Sequence, residues 1–165
     1  MPDKRTIEKA RRDKREGKSA STQAGEFVRE EIDKIRHGEH GARSAKQAIA
    51  IGLSEARRAG VDLPPPESGQ TTERTRRSAE YVYEAGQGRR KVKRRPRVSR
   101  AVSKALKREP RSTVSHKALS RQAHSAAPRR TAAQRSAAAR KAARTKGAAG
   151  RSAAAKKAAR TRRRR

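Results

Sequence analysis

The sequence has 165 residues, of which 47 are Lys or Arg and 16 are Asp or Glu, giving a formal net charge of +31. Only 31% of the residues are hydrophobic and 2% are aromatic, which is too little apolar surface to offset the entropy of ordering one large domain. The excess of cations predicts a polyanionic partner, and the absence of cysteine excludes a disulfide, a thiolate zinc site and a thiol nucleophile.

The charge is distributed unevenly along the chain. Residues 1–18 carry eight basic and four acidic side chains, residues 19–63 carry seven of each, and residues 64–88 carry three basic and four acidic ones. Residues 89–165 carry 29 basic side chains and a single acid, Glu109. We therefore divide the chain into a charged N-terminal segment, a neutral module, a spacer and a basic tail, with these boundaries.

The neutral module contains a first predicted helix, Glu26–His37. Acidic residues lie early in this segment and basic residues late, as the helix dipole favours, and Gly38 is suited to end it. Its large apolar residues share one side at helical spacing: Phe27, Val28, Ile32 and Ile35. The preceding segment, residues 1–18, is expected to be either a solvated helix or disordered.

A second helix is predicted between Ser44 and Gly60. Ser44 and Gln47 form a capping box, and Gly60 followed by three prolines ends the helix. One smooth face carries Ile49, Leu53 and Ala56. We expect the two helices to pack as a small hairpin, and we also consider this face for self-association or for binding a protein partner.

The remainder of the chain alternates between helix-forming and helix-breaking segments. Val61–Gly69 is a stiff Pro-rich spacer, and Thr71–Ala85 is a candidate third helix. Helical segments are also predicted at Ser99–Glu109, Ser115–Ala127 and Thr131–Lys146. Because their cations repel one another, we expect the tail to be largely disordered when free and helical on a polyanion.

The last part of the tail is an internal repeat with a period of 16 residues. Arg135–Gly147 reads RSAAARKAARTKG and Arg151–Arg163 reads RSAAAKKAARTRR. Gly147 and Gly150 separate the copies, so we expect two jointed rods rather than one continuous helix.

The tail is predicted to bind duplex DNA without regard to sequence, by neutralising phosphates. Residues 89–165 contain no aromatic side chain for stacking on bases, and the adenine-reading amides are sparse there. The candidate binding residues are Arg89, Arg90, Lys91, Lys93, Arg94, Arg95, Arg97, Arg100, Lys104, Lys107, Arg108, Arg135, Arg140, Lys141, Arg144, Lys146, Arg151, Lys156, Lys157, Arg160, Arg162, Arg163, Arg164 and Arg165.

Other classes of function find little support in the sequence. No serine has a partnered base, and no Gly-rich phosphate loop follows a strand, so we expect no enzyme activity, cofactor or small-molecule substrate. His37 and His40 on a Gly-rich loop are read as a helix end and a turn rather than a metal site. The N-terminus lacks an apolar signal region and no long apolar run exists, so no membrane association is expected.

Two stretches carry a resemblance to known proteins. Gly41–Gly60, and especially its central SAKQAIAIGLSEAR, resembles a motif of small basic bacterial proteins that form a domain family of unknown function. Many of those proteins carry the label plasmid stabilisation protein or DNA-binding protein, so the resemblance implies nucleic-acid handling and a role in plasmid maintenance. The Ala/Lys/Arg-rich tail resembles bacterial histone H1-like proteins and linker-histone tails.

The sequence thus predicts an all-α chain with a helical hairpin, a Pro-rich spacer and a long tail that is largely disordered or conditionally helical. The expected function is histone-like binding of duplex DNA in the cytoplasm, at the nucleoid. The alternative is a basic accessory protein of RNA or of ribosomes.

Overall fold

The computed structural model describes residues 2–91, 95–129 and 131–163, and within them the chain is all-α, as predicted, with no strand. Short 3-10 turns lie at Ser112–Val114 and Ala127–Arg129. Two compact units are separated after Gln122, Met1–Gln122 and Ala123–Arg165. In chain order the α-helices are α1 (Lys4–Arg15), α2 (Ala20–His37), α3 (Ala45–Arg58), α4 (Glu73–Gly86), α5 (Pro96–Arg108), α6 (His116–Ala126) and α7 (Ala132–Arg163).

The ends of α2 and α3 are set by the capping residues that the sequence indicates. Gly38 adopts a left-handed conformation with φ 87° and ends α2. At the start of α3, the Ser44 hydroxyl accepts a 3.2 Å hydrogen bond from the N–H of Gln47. The Gln47 side chain accepts from the N–H of Arg43, at 2.7 Å, rather than from that of Ser44. In this capping box the Gln47 side chain therefore bonds to the residue before the N-cap instead of to the N-cap itself.

The helical pair predicted from the sequence is part of a larger assembly. α1 packs on α2, α4 packs on α3, and the turn at Ser112–Val114 contacts both α2 and α3. Residues 1–18 are expected to form a solvated helix or to be disordered, but α1 contributes Ala10, 4% exposed, to the core. A hairpin standing by itself is therefore not what the chain forms, because two helices alone would leave these apolar faces uncovered.

The apolar side chains of the first unit form two clusters. The first contains Ala10, Ala24, Phe27, Ala56 and Val61. The second contains Ile35, Ala42, Ala48 and Val114. Since Val114 lies within the predicted basic tail, the second cluster is completed by a residue far outside the neutral module.

The Pro-rich spacer is held against the end of α3. Arg57 is 8% exposed, and its guanidinium donates to the carbonyl oxygens of Leu63 at 3.0 Å and Pro64 at 3.2 Å. Burial lowers the pKa of Arg57 from its usual value. The spacer is thus bonded to the helix that it follows rather than projecting away from it.

The expectation of a largely disordered tail is wrong, because α5, α6 and α7 are helical. Fourteen of the 32 residues of α7 are Ala, the residue with the highest helix propensity. A like-charge pair such as Arg140 and Arg144 costs only about 0.2–0.5 kcal/mol, which the gain from so many alanines outweighs. A capping box between Thr131 and Gln134, with reciprocal bonds of 3.1 and 3.2 Å, also stabilises the start of α7.

Candidate nucleic-acid interface

The predicted basic run begins just after α4, where its first cations lie. Arg89, Arg90 and Lys91 are all exposed. The Arg90 Nε lies 3.1 Å from the Glu84 carboxylate, and its guanidinium sits 5.0 Å from the centre of the Tyr81 ring. Arg90 is thus paired to α4, whereas its two neighbours offer exposed charge.

α5 places its predicted binding residues on one side of the helix. At about 100° per residue, its five cations fall within an arc of about 100° on one side of the helix. All five are exposed: Arg97, Arg100, Lys104, Lys107 and Arg108. An apolar stripe lies on another side of α5, where Val98 and Val102 are 55% and 52% exposed. We call the five cations the α5 arc.

The α5 arc is not paired with acidic side chains of the described residues. Among the described residues, no carboxylate lies within ion-pair distance of any of the five cations. Glu109, the one acid of the tail, lies immediately after α5, but its carboxylate is 3.8 Å from the Arg43 side chain in the loop before α3. The acid that interrupts the tail therefore compensates a charge of the module rather than one of the arc.

The C-terminal end of α5 is bonded to the loop between α2 and α3. The N–H of Gly41 donates to the carbonyl of Leu106 at 2.8 Å, and the N–H of Ala42 donates to the carbonyl of Pro110 at 3.3 Å. The backbones are so close that a Cβ added at Gly41 would lie 1.9 Å from the carbonyl oxygen of Glu109. The α5 arc consequently stands on a folded support.

Val114 anchors the segment that follows α5. Its side chain is fully buried with Ile35, Ala42 and Ala48, and its carbonyl accepts a 3.1 Å hydrogen bond from Arg36 of α2. Sequence reasoning missed this anchor because Val114 is an isolated apolar residue with no helical stripe around it. Its place in a short segment bounded by Pro110 was the available signal.

The predicted binding residues of the C-terminal unit lie on α7. The exposed ones are Arg135, Arg140, Lys141, Arg144, Arg151, Lys156, Lys157, Arg160, Arg162 and Arg163. Lys146 is a residue of α7, and Arg95 precedes α5 as an exposed N-cap. Four further predicted residues lie outside the described residues: Lys93, Arg94, Arg164 and Arg165.

The residues predicted for helix packing or self-association face the interior to different degrees. Phe27, Ile35 and Ala56 are fully buried, and Ile32 and Leu53 are partly buried against the two clusters. Val28 and Ile49 are also partly exposed. Since Ala56 belongs to the first cluster and Leu53 packs against it, most of the face considered for self-association is in contact with the chain's own residues.

A group of carboxylates lies where α2 faces the loop before α3. Glu31 is 1% exposed, one of its oxygens has no hydrogen-bond partner, and that oxygen is 3.6 Å from the Nε2 of His40. Burial raises the pKa of Glu31, His40 opposes this, and Glu55 reinforces it. Glu30 behaves differently: burial would raise its pKa, but bonds from Lys34 and from the Asp3 N–H lower it.

Neither histidine of the loop joins a metal-like cluster. His37 Nδ1 is 2.7 Å from the carbonyl of Asp33, as at a helix end, and His40 Nδ1 is 3.0 Å from the carbonyl of Gly41. In the part of the chain that the structure describes, no three His, Asp or Glu side chains are arranged to hold an ion. None of its helices is long and apolar enough to cross a bilayer.

Comparison with known protein families finds a similarity over the first three helices and the Pro-rich segment. No curated protein and no solved structure matches the chain. Residues 3–67 match DUF6496, a family of unknown function. The matched residues end before α4, so the α5 arc and α7 lie outside the region that is similar to this family.

Proposed function

We propose that this protein is a histone-like, nucleoid-associated protein that binds duplex DNA without regard to sequence. The observation that carries the proposal is the α5 arc, in which five exposed cations share one side of a helix and none has a carboxylate within ion-pair distance among the described residues. α7 adds further exposed cations on a second helix. Both helices belong to residues 89–165, where 29 cations accompany one acid.

The binding would be driven by the release of counterions from the phosphates. Each neutralised phosphate contributes about −0.9 to the slope of log K against log salt on duplex DNA. The five cations of the α5 arc would therefore contribute about −4.5 if all of them engage. α5 spans 13 residues, or about 20 Å, and a helix of this length can lie along one stretch of the DNA phosphate backbone.

The side-chain types of residues 89–165 favour contacts to the phosphate backbone of a duplex over contacts that read its bases. Residues 89–165 have no aromatic side chain, so bases of a single strand would find no stacking platform. The chain has no Asn, and Gln122 and Gln134 are the only glutamines of the tail, so adenine-reading amides are scarce. Contacts from Lys and Arg to phosphates position a protein on DNA but do not specify a sequence.

The test is a salt titration of the full chain against two unrelated duplexes of equal length. We expect equal affinities for both duplexes and a loss of several orders of magnitude between about 50 and 200 mM salt. Replacing the five residues of the α5 arc by Gln should reduce the slope by about 4 to 5. A slope unchanged by these replacements would move the interface away from α5.

A matched control replaces five exposed cations of α1 by Gln: Lys4, Arg5, Lys9, Arg11 and Lys14. These cations are interspersed with acids along α1. Their replacement changes the net charge by the same amount as the α5 variant does, but it removes no one-sided group of cations. The slope should change by much less than with the α5 variant. Competition by structured RNA at the same salt then separates the duplex from the RNA-associated alternative, since stronger competition by RNA than by DNA would favour the latter.

A further inference from the structure

The two copies of the C-terminal repeat present the same surface. In the first copy, Arg140, Lys141 and Arg144 fall within an arc of about 100°, and the alanines 138, 139 and 142 lie on the opposite side. In the second copy, the same positions are Lys156, Lys157 and Arg160. All six cations are exposed on α7. The sequence thus repeats a cationic face together with a small, smooth one.

The copies are separated by a sharp break at Gly147. Its φ of 62° and ψ of 177° lie far from helical values, in a region that glycine populates and side-chain-bearing residues avoid. The guanidinium of Arg151, which opens the second copy, donates a 2.6 Å hydrogen bond to the carbonyl of Ala143. The break is therefore a joint that is bridged by a side-chain hydrogen bond.

The length of α7 explains what a joint would achieve on DNA. A straight helix of 32 residues is about 48 Å long, whereas the duplex completes one turn in about 34–36 Å. A straight rod of this length leaves the curving groove before its end. One repeat copy of 13 residues is about 20 Å long, roughly half a turn, and can remain beside the phosphates over its length.

We propose that α7 binds duplex DNA as two equivalent segments joined at Gly147, each contacting phosphates of the same duplex through its own cationic face. This inference rests on the proposed function and adds how the C-terminal unit engages the duplex. The two segments contribute similar increments to the salt slope because they carry three cations each in the same arrangement. Each increment is about 2.7 at full engagement.

Straightening the joint tests the proposal in the full chain. The double variant G147A/G150A replaces both separating glycines by the strongest helix former and disfavours the backbone conformation at 147. We expect the magnitude of the salt slope to fall by about 2 to 3 and the affinity at moderate salt to fall accordingly. A straightened chain that keeps the parent slope would overturn the proposal.

Straightening can be verified independently of binding. The chain has no native cysteine, so S136C and S152C, at equivalent positions of the two copies, can be labelled selectively. Sixteen residues of unbroken helix separate two positions by about 24 Å, and spin-label distances in the straightened chain should sharpen at about that spacing. A sharp distance at this spacing shows that the helix is continuous through residue 147 in the variant whose salt slope is measured.

Charge variants supply the second arm. Replacing Arg140, Lys141 and Arg144 by Gln should reduce the slope as much as replacing Lys156, Lys157 and Arg160, and the combined variant should show the sum. If one set carries nearly the whole effect, the segments are not equivalent and the proposal is wrong. Gly25→Ala in α2, where a Cβ would meet nothing within 4 Å, is the control for a glycine replacement outside α7.

The outcomes separate this inference from the proposed function. A parent chain without salt-dependent duplex binding would refute the proposed function itself. A parent chain that binds, with an unchanged slope in verified straight α7, would refute only the two-segment arrangement.

Discussion

At the scale of the single residue, the buried carboxyl of Glu31 links the stability of the first unit to pH. It is 1% exposed and one oxygen lacks a hydrogen bond, so its charged form is poorly solvated. Burial raises its pKa above the value of 4.5 expected for an exposed Glu. A folded-state pKa above the unfolded one stabilises the fold at low pH, and this contribution is lost as pH rises through the folded-state value.

Glu31→Gln should therefore increase the free energy of unfolding at neutral pH, because the amide removes the buried charge. The difference from the parent chain should shrink as the pH is lowered, because the raised pKa lets Glu31 take up a proton at a higher pH than an exposed Glu does. Denaturant unfolding at a series of pH values measures this difference directly. A difference that does not change with pH would show that the contact with the Nε2 of His40, at 3.6 Å, compensates the burial of the carboxyl group.

Gly52 sets the distance between α2 and α3. A Cβ at this position would lie 2.7 Å from the Cα of Val28, a separation that backbone atoms cannot accommodate without moving. Gly52→Ala should therefore destabilise the chain by about 1–3 kcal/mol, although Ala is the better helix former. Gly25→Ala, on an open part of α2, should be neutral or slightly stabilising in the same denaturation experiment. Equal behaviour of the two variants would contradict the close approach of the helices.

At the scale of the element, the segment after α5 contributes to the core through one side chain. Val114 is fully buried, and Val114→Ala removes two methyl groups and leaves a cavity beside Ile35 and Ala48. We expect a loss of about 2 kcal/mol in the free energy of unfolding of the full chain. Val98→Ala, at 55% exposure on α5, should change it by less than about 0.5 kcal/mol. Calorimetry or urea denaturation of both variants distinguishes an anchor from an apolar residue resting on the surface.

The elements that the sequence predicted well are those whose signals are local. Gly38 ends α2 and Ser44 caps α3, as their residue types require, because a cap depends only on its own few neighbours. The sequence predicts that α2 starts at Glu26, because the Ser- and Thr-rich stretch before Glu26 resembles a linker in composition, but the helix begins at Ala20.

Non-local contacts could not be predicted from periodicity or composition. The pairing of Val114 with Arg36 joins positions 78 residues apart, and a lone valine in a basic stretch gives no periodic signal. Repulsion among the tail's cations predicts disorder, but the helix propensity of alanine outweighs it and the described tail is helical. The exposed cations of the candidate interface were identifiable by charge, but their grouping into the α5 arc depends on the helix register that the structure supplies.

At the scale of the whole molecule, the boundary between the units divides the tail's charge almost equally. Of the 29 cations in residues 89–165, 14 precede the boundary after Gln122 and 15 follow it. A cut after residue 88, where the basic tail begins, would remove all 29 of these cations. That cut would also remove Val114 and uncover Ile35, Ala42 and Ala48, so a loss of binding would be mixed with a loss of folding.

Truncation after Gln122 separates these effects. We expect this chain to unfold with the same free energy as the full protein, because its core clusters are intact. It should retain duplex binding with a salt slope of about −4 to −5 from the α5 arc, weakened by the loss of α7. A chain ending at residue 88 should unfold more readily and bind weakly. If the chain ending at Gln122 has lost the α5 contribution while remaining folded, α5 supports the core and α7 alone binds the duplex.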